Sequence, residues 1–143
     1  MKVMDKNVCF GLIVATRGFF NPVLAGTARK ELLELLDELS IEYVIGSETA
    51  TPHGTVENLE HAKIYAKLFR ENAERIDGVL VILPNFGDEL GVVQTLDMAR
   101  LNVPVMVQAC KDELDKVGVF SRRDAFCGKL SVCNNLYQYN IPF

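Results

Sequence analysis

Arg17 is the first residue in the chain with an obvious capacity to hold a small ligand. It sits in the loop Thr16-Arg17-Gly18-Phe19-Phe20-Asn21-Pro22, beside two adjacent phenylalanines. A guanidinium donates hydrogen bonds in a fixed fork, and an aromatic face packs against the apolar side of a ring, so the combination suits a polyol. Phe86 is a second aromatic at a turn, in Pro84-Asn85-Phe86-Gly87-Asp88, where it could stack on a sugar. Asn85 beside it is a further polar candidate. Gln108 ends an apolar run and can both donate and accept, which matches hydroxyl recognition. Each has a plain structural alternative. Arg17 could be a solvated cation over a packed Phe pair, Phe86 could pack under its own loop, and Gln108 could simply terminate a strand.

Residues able to break bonds are scarce. The only histidines are His53, in a loop, and His61, in a predicted helix, and their spacing fits no common metal pair. His61 reads as a helix-surface residue. His53, between Pro52 and Gly54, is exposed enough for a role, but the bland reading is preferred. Glu57 and Glu60 are near, and acids in a first helical turn are accounted for by the helix dipole. Cys9, Cys110, Cys127 and Cys133 form no CxxC pair and read as free thiols, mostly small buried hydrophobes. No G-x-G-x-x-G, P-loop or G-x-S-x-G pattern occurs, so nucleotide-phosphate binding and serine hydrolysis lack their usual frames. No metal or acid–base centre is expected within the chain.

The elements that must position these residues alternate. Val8–Ala15 is a continuous apolar run, as in a strand covered on both faces. A helix follows over about 23–39, with Leu32, Leu33, Leu35, Leu36 and Leu39 at helical spacing. A short strand at 41–45 leads to a Ser/Thr/Pro/Gly-rich loop. Thr55 is read as the N-cap of a helix over 56–76, with an incomplete capping box because Asn58 stands where Glu would be. Val79–Leu83 is the clearest buried strand. A helix over 89–101, a strand over 103–109 and a helix over 122–137 complete the alternation, and Ile141-Pro142-Phe143 looks like the start of a fifth strand.

This pattern specifies an α/β fold: a three-layer, doubly wound sandwich with a parallel sheet of four to five strands, flavodoxin-like or Rossmann-like, in the favoured order 2-1-3-4-5. Ligands in such sheets gather outside the carboxyl ends of the strands. Those ends carry the loops of Arg17, Phe86 and Gln108. The 143 residues fit one domain, 1–143. With 49% apolar and 24% charged residues and a net charge of -4, the chain reads as a globular protein and not as a nucleic-acid binder, which would need a basic face. No run approaches the ~20 apolar residues of a membrane span. Met1–Lys6 has no signal core behind it, so a cytoplasmic location is expected.

Two stretches resemble a known family. Phe126-Cys127-Gly128-Lys129-Leu130-Ser131-Val132-Cys133-Asn134-Asn135-Leu136-Tyr137-Gln138-Tyr139, followed by Ile141-Pro142-Phe143, resembles the end of the N-terminal domain of L-fucose isomerase-like proteins. Val79–Gln108, with Asn85-Phe86-Gly87-Asp88 at its loop, is similar to the matching strand–loop–helix–strand of the L-fucose and L-arabinose isomerases. The opening Gly11–Pro22 fits less specifically. The resemblance implies that this is the N-terminal domain of a longer chain that interconverts aldoses and ketoses through an enediol, aided by a divalent cation, usually Mn2+, held in later domains. It also implies that the domain closes a neighbouring subunit's active site in a homo-oligomer. Arg17 and Phe86, and less strongly Asn85 and Gln108, would then face a monosaccharide. The other reading is a stand-alone flavodoxin-like module that binds a small ligand or a partner. A phosphorylation-dependent receiver ranks last, because Thr16-Arg17 stands where its acids belong.

Overall fold

The structure is a computed structural model that describes residues 7–143; the segment Met1–Lys6, read above for a leader, lies outside the described residues. Its elements are β1 (Cys9–Val14), α1 (Pro22–Glu38), β2 (Glu42–Val44), a 3-10 turn (Pro52–Gly54), α2 (Leu59–Glu71), β3 (Gly78–Leu83), α3 (Glu89–Ala99), β4 (Val105–Ala109) and α4 (Ala125–Gln138). The four strands form one parallel sheet in the order β2-β1-β3-β4. This is the α/β sandwich expected, with the first four strands in the favoured order.

Side chains alternate across the sheet and sort into two cores. Leu12, Leu80 and Ile82 meet Ala28, Leu32 and Leu36 of α1 on one face. Ile13, Val79, Val81, Leu83, Val105 and Val107 pack with residues of α2, α3 and α4 on the other. β1 and β3, central in the sheet, are covered on both faces, which is why their sequences show no polar alternation. The fit is close: a Cβ on Gly11 would lie 3.1 Å from the fully buried Phe69 ring of α2. Burying that ring contributes roughly 2–3 kcal/mol. β4 is an edge strand. Met106, opposite Leu80 on the α1 side, is 59% exposed, so α1 does not reach it.

Several boundaries depart from the sequence reading. Val56 does not start a helix. It forms a parallel bridge with Ala15, donating to Val14 O at 2.9 Å while accepting from Thr16 N at 3.0 Å, and this holds the backbone there extended. The N-cap of α2 is therefore Asn58, whose side chain accepts from His61 N, and Thr55 instead donates its hydroxyl to Pro52 O. α2 closes at Asn72, ahead of the predicted 76. α4 begins at Ala125, after Asp124 in a left-handed conformation at φ 53°. β4 begins at 105, beyond Pro104, whose carbonyl accepts from Val79 N.

Ile141-Pro142-Phe143 is not a strand. Asn140 (φ 56°) turns left-handed, Asn140 N donates to Tyr137 O, and Ile141 N donates back to Leu136 O, which closes α4 with a Schellman motif. α1 ends in the same way through Ser40 and Ile41, so β2 starts only at Glu42.

Candidate functional site

β1 and β3 pair in register up to Val14 opposite Ile82, so the loops that follow them leave the sheet side by side. Asn85 joins the two. It is fully buried; its Nδ2 donates to Thr16 Oγ1 at 2.8 Å, and its Oδ1 accepts from Arg17 N (3.2 Å) and Gly87 N (3.0 Å). Gly87 permits the tight turn, with φ at 75° and its Cα so close to Leu83 that a Cβ would meet Cδ2 at 2.7 Å.

That turn presents Phe86 to Arg17. The guanidinium carbon lies 4.5 Å from the Phe86 ring centroid, a cation–π stack. An ion pair with Glu89, in the first turn of α3, fixes the guanidinium from the other side. Asp88 caps α3, accepting from Gly91 N at 2.6 Å. Burial raises the Asp88 carboxyl above its ordinary pKa and Glu89 adds to this, while the Gly91 bond and Arg17 oppose it. In the Phe pair beside Arg17, Phe20 is the buried ring, whereas Phe19 stacks on it at 4.4 Å and is 54% exposed.

α4 and the residues just ahead of it support the Phe86 loop from behind. Arg123 Nη1 donates to Pro84 O at 2.9 Å. Gly128 lies so near the loop that a Cβ would fall 1.9 Å from Phe86 O. The first turn of α4 is capped from a distance, because Asp112 accepts from both Ala125 N and Phe126 N at 3.1 Å.

Arg17 and Phe86 are thus brought together as a half-exposed ledge. Asn85 stands between them, but its side chain is inside the protein and its hydrogen bonds go to the two loops, so it holds the ledge together. Gln108 stands apart. It lies opposite Ile82 in the register, on the α1 side of β4, and its amide nitrogen donates to Ala109 O.

Glu89 escaped the sequence reading, and His53 and Glu57 were weighed there and set aside. Glu89 is 72 residues from Arg17, and only the rule that carboxyl-end loops converge could have paired them. His53 and Glu57 line a small cavity of about 110 Å³ next to Arg17.

A larger cavity, about 650 Å³, opens at the opposite, amino end of β3 and β4, between Arg100, Pro104 and Phe143. Size alone would favour it. The stacked and ion-paired side chains are at the carboxyl end, where parallel sheets place their ligands, and that end is the candidate site.

Among the described residues no three His, Cys, Asp or Glu side chains come together in a group that could hold a metal ion. All four cysteines are free, and burial raises the thiol pKa of Cys9, Cys110 and Cys133, the reverse of nucleophile activation. No helix among the described residues is long and apolar enough to cross a membrane.

The fold is a parallel three-layer α/β domain, a class in which ligands gather outside the carboxyl ends of the strands, and the cation–aromatic ledge lies at that end. The family model for the fucose/sulfoquinovose isomerase N-terminal domain matches residues 11–143, and the chain belongs to that family. It is therefore an isomerase domain of the fucose isomerase-like type. No curated protein and no solved structure matches it.

Proposed function

We propose that this chain is the substrate-closing and oligomerising N-terminal domain of a longer, metal-dependent aldose–ketose isomerase. The observation that carries the reading is the Arg17–Phe86 ledge, locked by Glu89 and displayed at the strand ends. A sugar ring has an apolar face, which an aromatic ring covers, and a rim of hydroxyls, which a guanidinium addresses with donors in a fixed plane. Arg17 and Phe86 supply one of each. Glu89 limits the freedom that the arginine would lose on binding, so less entropy opposes the contact.

In this reading the ledge orients the sugar and excludes water, and the proton moves between adjacent carbons on groups outside this chain. The divalent cation, expected to be Mn2+, is assigned in this reading to the parent protein's other domains. The domain's partners are those other domains, a neighbouring copy whose site it closes, and a monosaccharide, in the cytoplasm.

Two measurements test this. In the complete isomerase, Arg17→Ala should raise KM for the aldose without releasing metal, and unchanged kinetics would remove Arg17 from the site. The 143-residue chain alone should turn over no aldose with Mn2+ added, and measurable turnover would refute the division of labour.

A further inference from the structure

The loop between β2 and α2 is built with more constraint than a connector requires. Arg29, in the middle of α1, is only 5% exposed. Its Nη2 donates to Gly46 O at 2.8 Å and its Nη1 to Gly54 O at 3.2 Å, so one buried guanidinium ties both ends of the loop. Tyr65, fully buried on α2, donates to the same Gly54 carbonyl at 2.5 Å. Gly54 itself is left-handed (φ 59°), and a Cβ there would strike Arg29 Nη1 at 2.8 Å.

Clasped in this way, the loop holds His53 in a left-handed conformation, φ 56°, with its side chain exposed. A strained non-glycine residue persists where its surroundings over-determine it, and such residues concentrate at functional positions. Glu57 lies on the same side, against Gly18. Its Oε1 occupies the space that a Cβ on Gly18 would fill, 2.2 Å from that position. His53, Glu57, Thr16 and Arg17 then share the small cavity beside the ledge.

We infer that residues 46–58 form a second wall of the Arg17 site, on which Glu57 accepts from, and His53 hydrogen-bonds to, hydroxyls of the same uncharged polyol. Arg29 is the positioning residue of that wall. The inference rests on the sugar-facing reading above and extends it to residues outside the Arg17–Phe86 ledge. Gly18 belongs to the wall by lacking a side chain, which leaves room for the Glu57 carboxylate.

The test uses the complete isomerase. His53→Gly removes the imidazole and relieves the backbone, Glu57→Gln removes the charge, and Gly18→Ala pushes the Glu57 carboxylate aside without touching its chemistry. Each should raise KM for the aldose at least fivefold, with kcat within twofold and metal content unchanged. Gly18→Ala combined with Glu57→Gln should be no worse than the stronger single variant, because both remove one interaction.

A second measurement needs no variant. Saturation with the alditol of the aldose turned over should protect His53 from diethyl pyrocarbonate while the reaction of His61 is unchanged. If Arg17→Ala raises KM but the three variants do not, and His53 reacts equally with and without alditol, the second wall is refuted while the ledge stands. If Arg17→Ala also leaves KM unchanged, both readings fall.

Discussion

Gly128→Ala sets two effects of known size against each other. In a helix interior the exchange is favourable by about 1 kcal/mol, since alanine loses less conformational freedom on folding. At position 128, however, the new Cβ would lie 1.9 Å from Phe86 O, 2.5 Å from its carbonyl carbon and 2.6 Å from its Cα. All three are backbone atoms, so no rotamer change relieves the clash, and α4 must withdraw from the loop. Overpacking against a fixed partner sits near the upper end of its range, about 3 kcal/mol. The net loss is about 2 kcal/mol, or roughly 6–8 °C in Tm for a chain of this size. Gly26→Ala in α1 is the internal control. There the nearest atom is His53 Nδ1 at 3.7 Å, an ordinary contact, and the variant should gain about 0.5–1 kcal/mol. Urea denaturation of both variants beside the parent sequence, with amide exchange at 85–88, measures the difference. The reasoning fails if Gly128→Ala is as stable as the parent and its loop amides exchange at the parental rate.

Other variants probe separate links. Asp112→Ala removes the acceptor for Ala125 N and Phe126 N and should lose about 1 kcal/mol, seen as a lower urea midpoint with fraying confined to the start of α4. Arg29→Met leaves the Gly46 carbonyl without its donor and Gly54 with Tyr65 alone. A loss of about 2–3 kcal/mol is expected, with faster amide exchange across 46–58 and unchanged exchange in β3. For Asp88 the native carboxyl titrates above its unfolded value, so between the two the folded chain binds more protons and stability falls as pH rises. Asp88→Asn retains a capping acceptor and should flatten the fall of the urea midpoint as pH is raised from the unfolded-state value of about 3.9. A slope equal to the parent's would show that Asp88 is not its source.

What was legible in the residues follows the range of the forces involved. β1 and β3 declared themselves because coverage on both faces leaves no polar position in Gly11–Val14 or Gly78–Leu83. α1 was legible from the spacing of its leucines. The start of α2 was not, because a bridge to Ala15 about 40 positions away competes with a local cap and wins. The start of α4 is likewise fixed by Asp112, 13 positions before the amide it caps. At the site, residue types suggested Arg17 and Phe86 but could not show that they stack, nor that Glu89 completes them. Asn85 was chosen for its chemistry, and burial redirects that chemistry inward. His53 was set aside for want of a metal partner, whereas its backbone conformation and the Arg29 clasp are visible only in three dimensions.

The buried Asn85 also bears on how the ledge moves. Because one amide bonds to Thr16, Arg17 and Gly87, the exits of β1 and β3 are tied to each other, and the spacing of guanidinium and ring is set by the protein's own contacts. A surface that needs no rearrangement should capture its ligand at a rate largely indifferent to substitutions on it. On the sugar-facing reading proposed above, exchanging Phe86 for another aromatic would then alter chiefly how long a sugar stays. Loosening Asn85 would be felt at both loops together, as slower productive capture.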